Sequence, residues 1–182
     1  MQKSTTQKLA VMGMLAAISI VLVSLIHLPI LPAVPFLEYD PADIPILIGT
    51  FAFGPLAGLA LTVVVSVIQG VTVSAASGWI GILMHIFATG SFALVAGTLY
   101  KRRKTKGGAV LALTLGAATM VVTMVLWNLI FTPLFLGMPL AAMMELLPWI
   151  ALFNIIKAAG NAIVSFVVYK AVHKVIHRLF HV

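Results

Sequence analysis

Cysteine is absent from this 182-residue chain, so disulfides, thiolate metal sites and a Cys nucleophile are excluded together. Carboxylates are scarce, with 4 Asp and Glu against 11 Lys and Arg, which leaves little material for a pair of catalytic acids. Charge of either sign is low at 8% of residues, where a soluble domain carries about a quarter because it faces water over most of its surface. No G-x-x-x-x-G-K-[ST], H-E-x-x-H or G-x-S-x-G pattern occurs, which removes a P-loop for ATP, a zinc-hydrolase helix and a nucleophile elbow. Neither a soluble enzyme nor a disordered chain fits these shortages, and no catalytic residue or metal site is expected.

What fills the chain is hydrocarbon: 62% of residues are hydrophobic and the mean hydropathy is +1.18. Six membrane helices would use roughly 120 positions, leaving nothing for a second, water-soluble domain. Apolar runs bounded by Pro, Gly or charge fall at about 8 to 28, 44 to 58, 60 to 75, 79 to 100, 108 to 131 and 149 to 169. The second and third share one run interrupted by Gly54, Pro55 and Gly58. The expectation is an all-α integral membrane protein of six transmembrane helices, forming one domain over residues 1–182. Lys3 and Lys8 precede an apolar stretch as in a signal peptide, but that stretch runs from Leu9 to Ile26. A signal core is about 7 to 15 residues long, so a retained span is expected.

The net charge of +7 would suggest nucleic acid in a soluble protein. In a membrane protein the placement of the charges counts for more than their sum, and no nucleic-acid partner is expected. On the six-span topology Lys3, Lys8, Lys101, Arg102, Arg103, Lys104, Lys106, Lys170, Lys174 and Arg178 fall on one side, and Glu38, Asp40, Asp43 and Glu145 on the other. Because Lys and Arg concentrate on cytoplasmic loops, both termini are expected in the cytoplasm of a multi-pass cell-membrane protein. Trp79 and Trp149 then fall at outer boundaries as aromatic anchors. His173, His177 and His181 have metal-ligand spacing on a helix, but they alternate with Lys170, Lys174 and Arg178. A membrane-surface amphipathic tail is the favoured reading.

Lys157 is left over, well inside the last span, where a charge is costly unless it faces a partner or a watery cavity. Asn154 and Asn161 share its helix face. Counting along each span at 1.5 Å per residue sets Asn154, Lys157, Asn128, Gln69 and His85 at one level, near the outer ends of four helices. Each alone could be interhelical glue, but their common depth favours a shared pocket. The first outer loop, Leu28 to Pro41, carries prolines at every third position, which favours polyproline-like backbone and a lid. Asp43 reads as an N-cap ahead of Ile44 and Pro45, leaving Asp40 or Glu38 to partner Lys157. Phe36, Leu37, Tyr39 and Trp127 are candidates to line an apolar slot. On the first span Ala10, Gly13 and Ala17 form a small-residue face suited to close helix approach, either to another part of this chain or to another protein.

The string Glu38-Tyr39-Asp40-Pro41-Ala42-Asp43-Ile44-Pro45, followed by Phe53-Gly54-Pro55-Leu56-Ala57-Gly58, resembles the substrate-binding S components of energy-coupling factor (ECF) vitamin transporters, most of all the riboflavin-specific branch. Asn128 with Pro133-Leu134, Phe153-Asn154-Ile155-Ile156-Lys157, and Gly13 through Ala17 extend the resemblance over nearly the whole chain. It implies capture of a vitamin from outside, with Asn154, Lys157 and Asn128 touching the ligand under the first outer loop. It further implies docking through the first helix on a coupling module, a transmembrane T component with two ABC ATPases that use the ATP, and a loaded subunit that tips over in the membrane. No cofactor is implied, riboflavin being cargo. Two departures fall at the pocket level: riboflavin-type members usually have Lys-Asn where Gln69-Gly70 stand, and Asn where His85 stands. An S component for another vitamin or flavin is the alternative substrate reading, and an autonomous facilitator the alternative mechanism.

Overall fold

The computed structural model describes the backbone from Gln2 to Phe180 and side chains from Thr5 to Ala171. Six α-helices follow one another: α1 (Gln2–Leu25), α2 (Asp43–Phe53), α3 (Pro55–Val71), α4 (Gly78–Arg102), α5 (Lys106–Leu136) and α6 (Leu140–Phe180), with a 3-10 turn at Ala75–Ser77. No strand forms among the described residues, and β-type pairing is limited to the isolated bridge between Leu28 and Tyr39. The expected all-helical class holds. The segments Thr5–Leu25, Ala75–Arg102, Lys106–Leu136 and Leu140–Ala171 are long and apolar enough to cross a bilayer, whereas α2 and α3 fall short of that measure.

The long apolar run breaks at Gly54, earlier than the boundary expected near 58 to 60. Gly54 adopts φ 94°, a backbone region that ends α2, and Pro55 opens α3, where its missing N–H removes no helical bond. The two helices fold back on each other so closely that a Cβ on Gly58 would collide with the Thr50 side chain. α2 has 11 residues and is about 16 Å long, and every residue from Asp43 to Ala52 is buried. It is a core helix wrapped by the others.

Two helices outrun their expected ends. α5 continues through Pro133 to Leu136, and α6 begins at Leu140 and runs through Pro148. A proline inside a long helix removes one backbone bond, and here the neighbouring turns continue without it. α5 is closed by Gly137 at φ 64°, the left-handed geometry of a helix C-terminus. The outer loop departs from the expected polyproline form. Val34 N–H donates to the Leu31 carbonyl (3.1 Å) and Leu37 N–H to that of Val34 (3.0 Å), which makes Pro32 and Pro35 the second residues of consecutive turns, a position their fixed φ suits. Leu28 and Tyr39 exchange backbone bonds of 3.0 and 2.7 Å that close the loop at its base. Val34 and Leu37 pack on Met143, Ile150 and Phe153 of α6.

Residue contacts orient the bundle. Asp43 meets Thr89 of α4 and Asn161 of α6, while Phe51 meets Tyr100 and Tyr169 of the same helices, so α2, α4 and α6 run parallel. Phe51, Tyr100 and Tyr169 form an aromatic cluster with ring centroids 4.3 to 5.9 Å apart, and Leu47, Phe92 and Met120 fill the core above it. On α1 the buried face is Ala16, Ser19 and Val23. Ala10, Gly13 and Ala17 are exposed, and nothing lies within 4 Å of a Cβ built on Gly13, so this face is open among the described residues. Lys3 and the tail residues His173, Lys174, His177, Arg178 and His181 lie outside the described side chains.

Candidate functional site

At the end of the bundle that holds the acidic loop, a cavity of about 140 Å³ opens between that loop and helices α3 to α6. Most of its wall is apolar, from Phe36, Leu37, Ile80, Ile82, Met84, Met120, Met124, Phe135 and Phe153. The polar groups that reach it include Asp40, Ser66, Gln69, His85, Asn154 and Lys157. Five of these carry the positions singled out by depth, partner choice and spacing: Asp40, Gln69, His85, Asn154 and Lys157. Leu37 lines the cavity as expected.

Lys157 is 6% exposed, and its Nζ donates to Asp40 Oδ2 at 2.6 Å. Of the two candidate partners, Asp40 is the one used; Glu38 pairs instead with His27 Nε2 at 2.7 Å. Asp40 also accepts from the Ala42 N–H through Oδ1 (3.1 Å), so it, rather than Asp43, ties down the start of α2. The N-cap reading of Asp43 is overturned. Asp43 is fully buried at the start of α2, with Thr89 Oγ1 donating to Oδ1 at 2.7 Å, His85 Nε2 3.2 Å from the same oxygen, and Asn161 Nδ2 donating to Oδ2 at 3.0 Å. A buried carboxylate survives when each lone pair finds a donor, and here α4 and α6 supply them. Asn161 also donates to the Asp40 carbonyl (3.2 Å) and accepts from the Tyr39 hydroxyl (3.1 Å). Burial pushes the Tyr39 phenol above its ordinary value.

Three expected site residues stand elsewhere. Asn128 is fully buried, but its amide donates to the Met124 carbonyl (2.7 Å) and accepts from Thr132 (2.6 Å); α5 satisfies it internally, and the cavity wall passes through Met124 and Thr132 instead. Tyr39 stands behind the cavity, on Asn161. Trp127 is stacked between Phe87 and Phe131, with centroids 3.9 and 4.3 Å away, outside the lining. Conversely, Asp43, Asn161 and Thr89 form the network that holds His85 and Lys157 at the cavity. Asn161 stood on the Asn154–Lys157 stripe and was visible in the helical spacing; Thr89 had no local signal.

His85 links the network to α3, with Nδ1 2.7 Å from Ser66 Oγ. Asp40, Asp43 and His85 bring ligand atoms within 4.8 Å of one another, but the Lys157 ammonium already provides the positive charge there. Gln69 is 7% exposed; its Nε2 donates to Ser74 Oγ at 3.3 Å, while Oε1 has no hydrogen-bond partner. A buried acceptor left unsatisfied costs about 1 to 3 kcal/mol, and this one belongs to a cavity-lining side chain.

Comparison with known proteins agrees with this architecture. The family model described as ECF transporter, substrate-specific component, matches residues 7–169. The chain is 32% identical over 124 residues to the riboflavin transporter FmnP of Bacillus subtilis, covering 67% of this chain and 64% of that protein. It is 28% identical over 130 residues to the riboflavin transporter RibU of Lactococcus lactis, covering 70% and 63%. The aligned stretches thus span under two thirds of either relative. Against the riboflavin transporter RibU of Staphylococcus aureus it is 30% identical over 186 residues, covering 95% and 94%. A solved structure, described as the S component of a bacterial ECF transporter, superposes with a TM-score of 0.79 at 29% identity, covering 93% of this chain and 97% of that one. On this combined ground of sequence and fold, the chain belongs to the family of substrate-specific components of ECF transporters.

Proposed function

We propose that this protein is the substrate-binding subunit of an ECF-type importer, that its cargo is riboflavin, and that it is not an enzyme. Its six helices make one multi-pass domain over residues 1–182, with both termini on the cytoplasmic side, where Lys and Arg concentrate. The cavity faces outside. Riboflavin is neutral and flat, with an edge of N–H and C=O groups and a flexible chain of hydroxyls; it needs an apolar slot with a few directed polar groups. The observation that carries this reading is a largely apolar cavity into which a few buried polar side chains reach, among them Asn154, Lys157 and Gln69, whose Oε1 has no hydrogen-bond partner. A ligand N–H or O–H would satisfy the orphan acceptor. Lys157 is neutralised by Asp40 and donates without demanding an anion. A phosphorylated vitamin would call for an Arg cluster, and this end of the chain has no Arg.

Release on the far side requires more than this chain. Leu47, Phe92 and the Phe51–Tyr100–Tyr169 cluster fill the space below the cavity, which favours a subunit that reorients as a body with a T component and two ABC ATPases over an autonomous facilitator. Ala10, Gly13 and Ala17 form the docking face for that module. Protein purified from cells grown with riboflavin should be yellow, and added riboflavin should lose fluorescence on binding at a one-to-one ratio. Colourless protein that leaves riboflavin fluorescence unchanged and carries another vitamin by mass spectrometry would refute the substrate and keep the family.

A further inference from the structure

At the opposite end of the bundle lies a second cavity of about 360 Å³, whose walls include Thr5 and Lys8 of α1, Phe53 and Gly54 at the α2–α3 break, and Lys101 and Lys104 at the end of α4. Three lysines therefore line one space. The chain's four carboxylates all stand at the other end: Glu38, Asp40 and Asp43 at the acidic loop and Glu145 in α6, upstream of Lys157. Like charges gathered together repel, and with no Asp or Glu beside them among the described residues the arrangement suits an anion from outside the chain. Two further observations bear on which anion. Lys8 Nζ sits 5.7 Å from the Phe53 ring centroid, a cation–π contact that holds the ammonium at the rim of the cavity. Gly54 lines the same space, and nothing lies within 4 Å of a Cβ built on it, which leaves room there for a headgroup.

Exposed leucines adjoin the lining residues along the chain. Leu9, next to Lys8, is 63% exposed, and Leu56, in the first turn of α3, is 76% exposed. A small ion would gain nothing from them; an amphiphile with a phosphate head and acyl tails would use both. We propose that this cavity binds the phosphate of an anionic phospholipid, with Lys8, Lys101 and Lys104 around the headgroup and the chains lying along Leu9 and Leu56. Basic pockets between membrane helices are suited to such headgroups.

The test uses the full chain in neutral detergent, with melting temperature measured after addition of phosphatidylglycerol, phosphatidylcholine or inorganic phosphate. Phosphatidylglycerol should raise the melting temperature of the wild type, and phosphatidylcholine should not. The triple variant Lys8→Gln, Lys101→Gln, Lys104→Gln should lose the shift, and the triple Arg replacement should keep it. An undiminished shift in the Gln variant overturns the proposal. If inorganic phosphate reproduces the shift, the phosphate site stands and the lipid source is overturned. Should the triple Gln variant fail to fold, the single variants Lys101→Gln and Lys104→Gln, both at exposed positions, must each reduce the shift; no reduction in either overturns the site.

Discussion

At the scale of single residues, the site is a set of charges that only tertiary structure makes tolerable. Lys157 and Asp40 are both nearly inaccessible, and removing one partner of a buried pair costs about 3 to 5 kcal/mol because the other is left uncompensated. Lys157→Met should lower the melting temperature sharply, and the double variant Asp40→Asn, Lys157→Met should lose less than the sum of the single losses; additive losses in a double-mutant cycle would contradict the direct pairing. Gln69 has the opposite signature. Because its Oε1 is unsatisfied, Gln69→Leu should leave the empty protein as stable or more so, while weakening riboflavin binding by roughly 5- to 150-fold, the equivalent of about 1 to 3 kcal/mol. Titration and thermal unfolding of the same preparations check both halves. The depth of Lys157, Asn154, Gln69 and His85 was legible because membrane helices convert sequence position into height. The role of Asp43 was not: its neighbours Ile44 and Pro45 argue for a cap, while its partners Thr89 and Asn161 lie 46 and 118 residues away. Asn128 is the reverse case, a polar side chain at that height whose hydrogen bonds are met within its own helix.

At the scale of elements, a proline's effect depends on what stands beside it. Gly54 and Pro55 broke the long apolar run because both backbone requirements fall there together, whereas Pro133 and Pro148 were absorbed inside α5 and α6, where the turns on either side hold the helix. Gly54→Ala should cost about 1 to 3 kcal/mol, since φ 94° with ψ 173° lies in a region essentially restricted to glycine; a melting temperature equal to wild type would contradict that strain. The exposed small face of α1 makes a separate prediction. With nothing within 4 Å of a Cβ on Gly13, the double variant Gly13→Leu, Ala17→Leu should fold and bind ligand normally but fail to copurify with the coupling module. Loss of ligand binding in that variant would mean that α1 shapes the cavity after all.

At the scale of the whole molecule, the described chain holds a cavity at the acidic end and an aromatic cluster toward the basic one. Reconstituted alone in liposomes it should bind riboflavin without net uptake, and radiolabelled vitamin should accumulate inside only when the coupling module and ATP are supplied. The buried hairpin also constrains how the protein is made. A helix of 11 residues is well short of the roughly 20 that cross a bilayer, and Asp43 at its head lacks its hydrogen-bond donors until α4 and α6 have been synthesised. α2 therefore has to enter as one unit with α3 and wait, its carboxylate still hydrated, until the last helix arrives. Biogenesis of this fold is finished from its C-terminal end, and truncation before Asn161 should leave an early helix that the membrane does not retain.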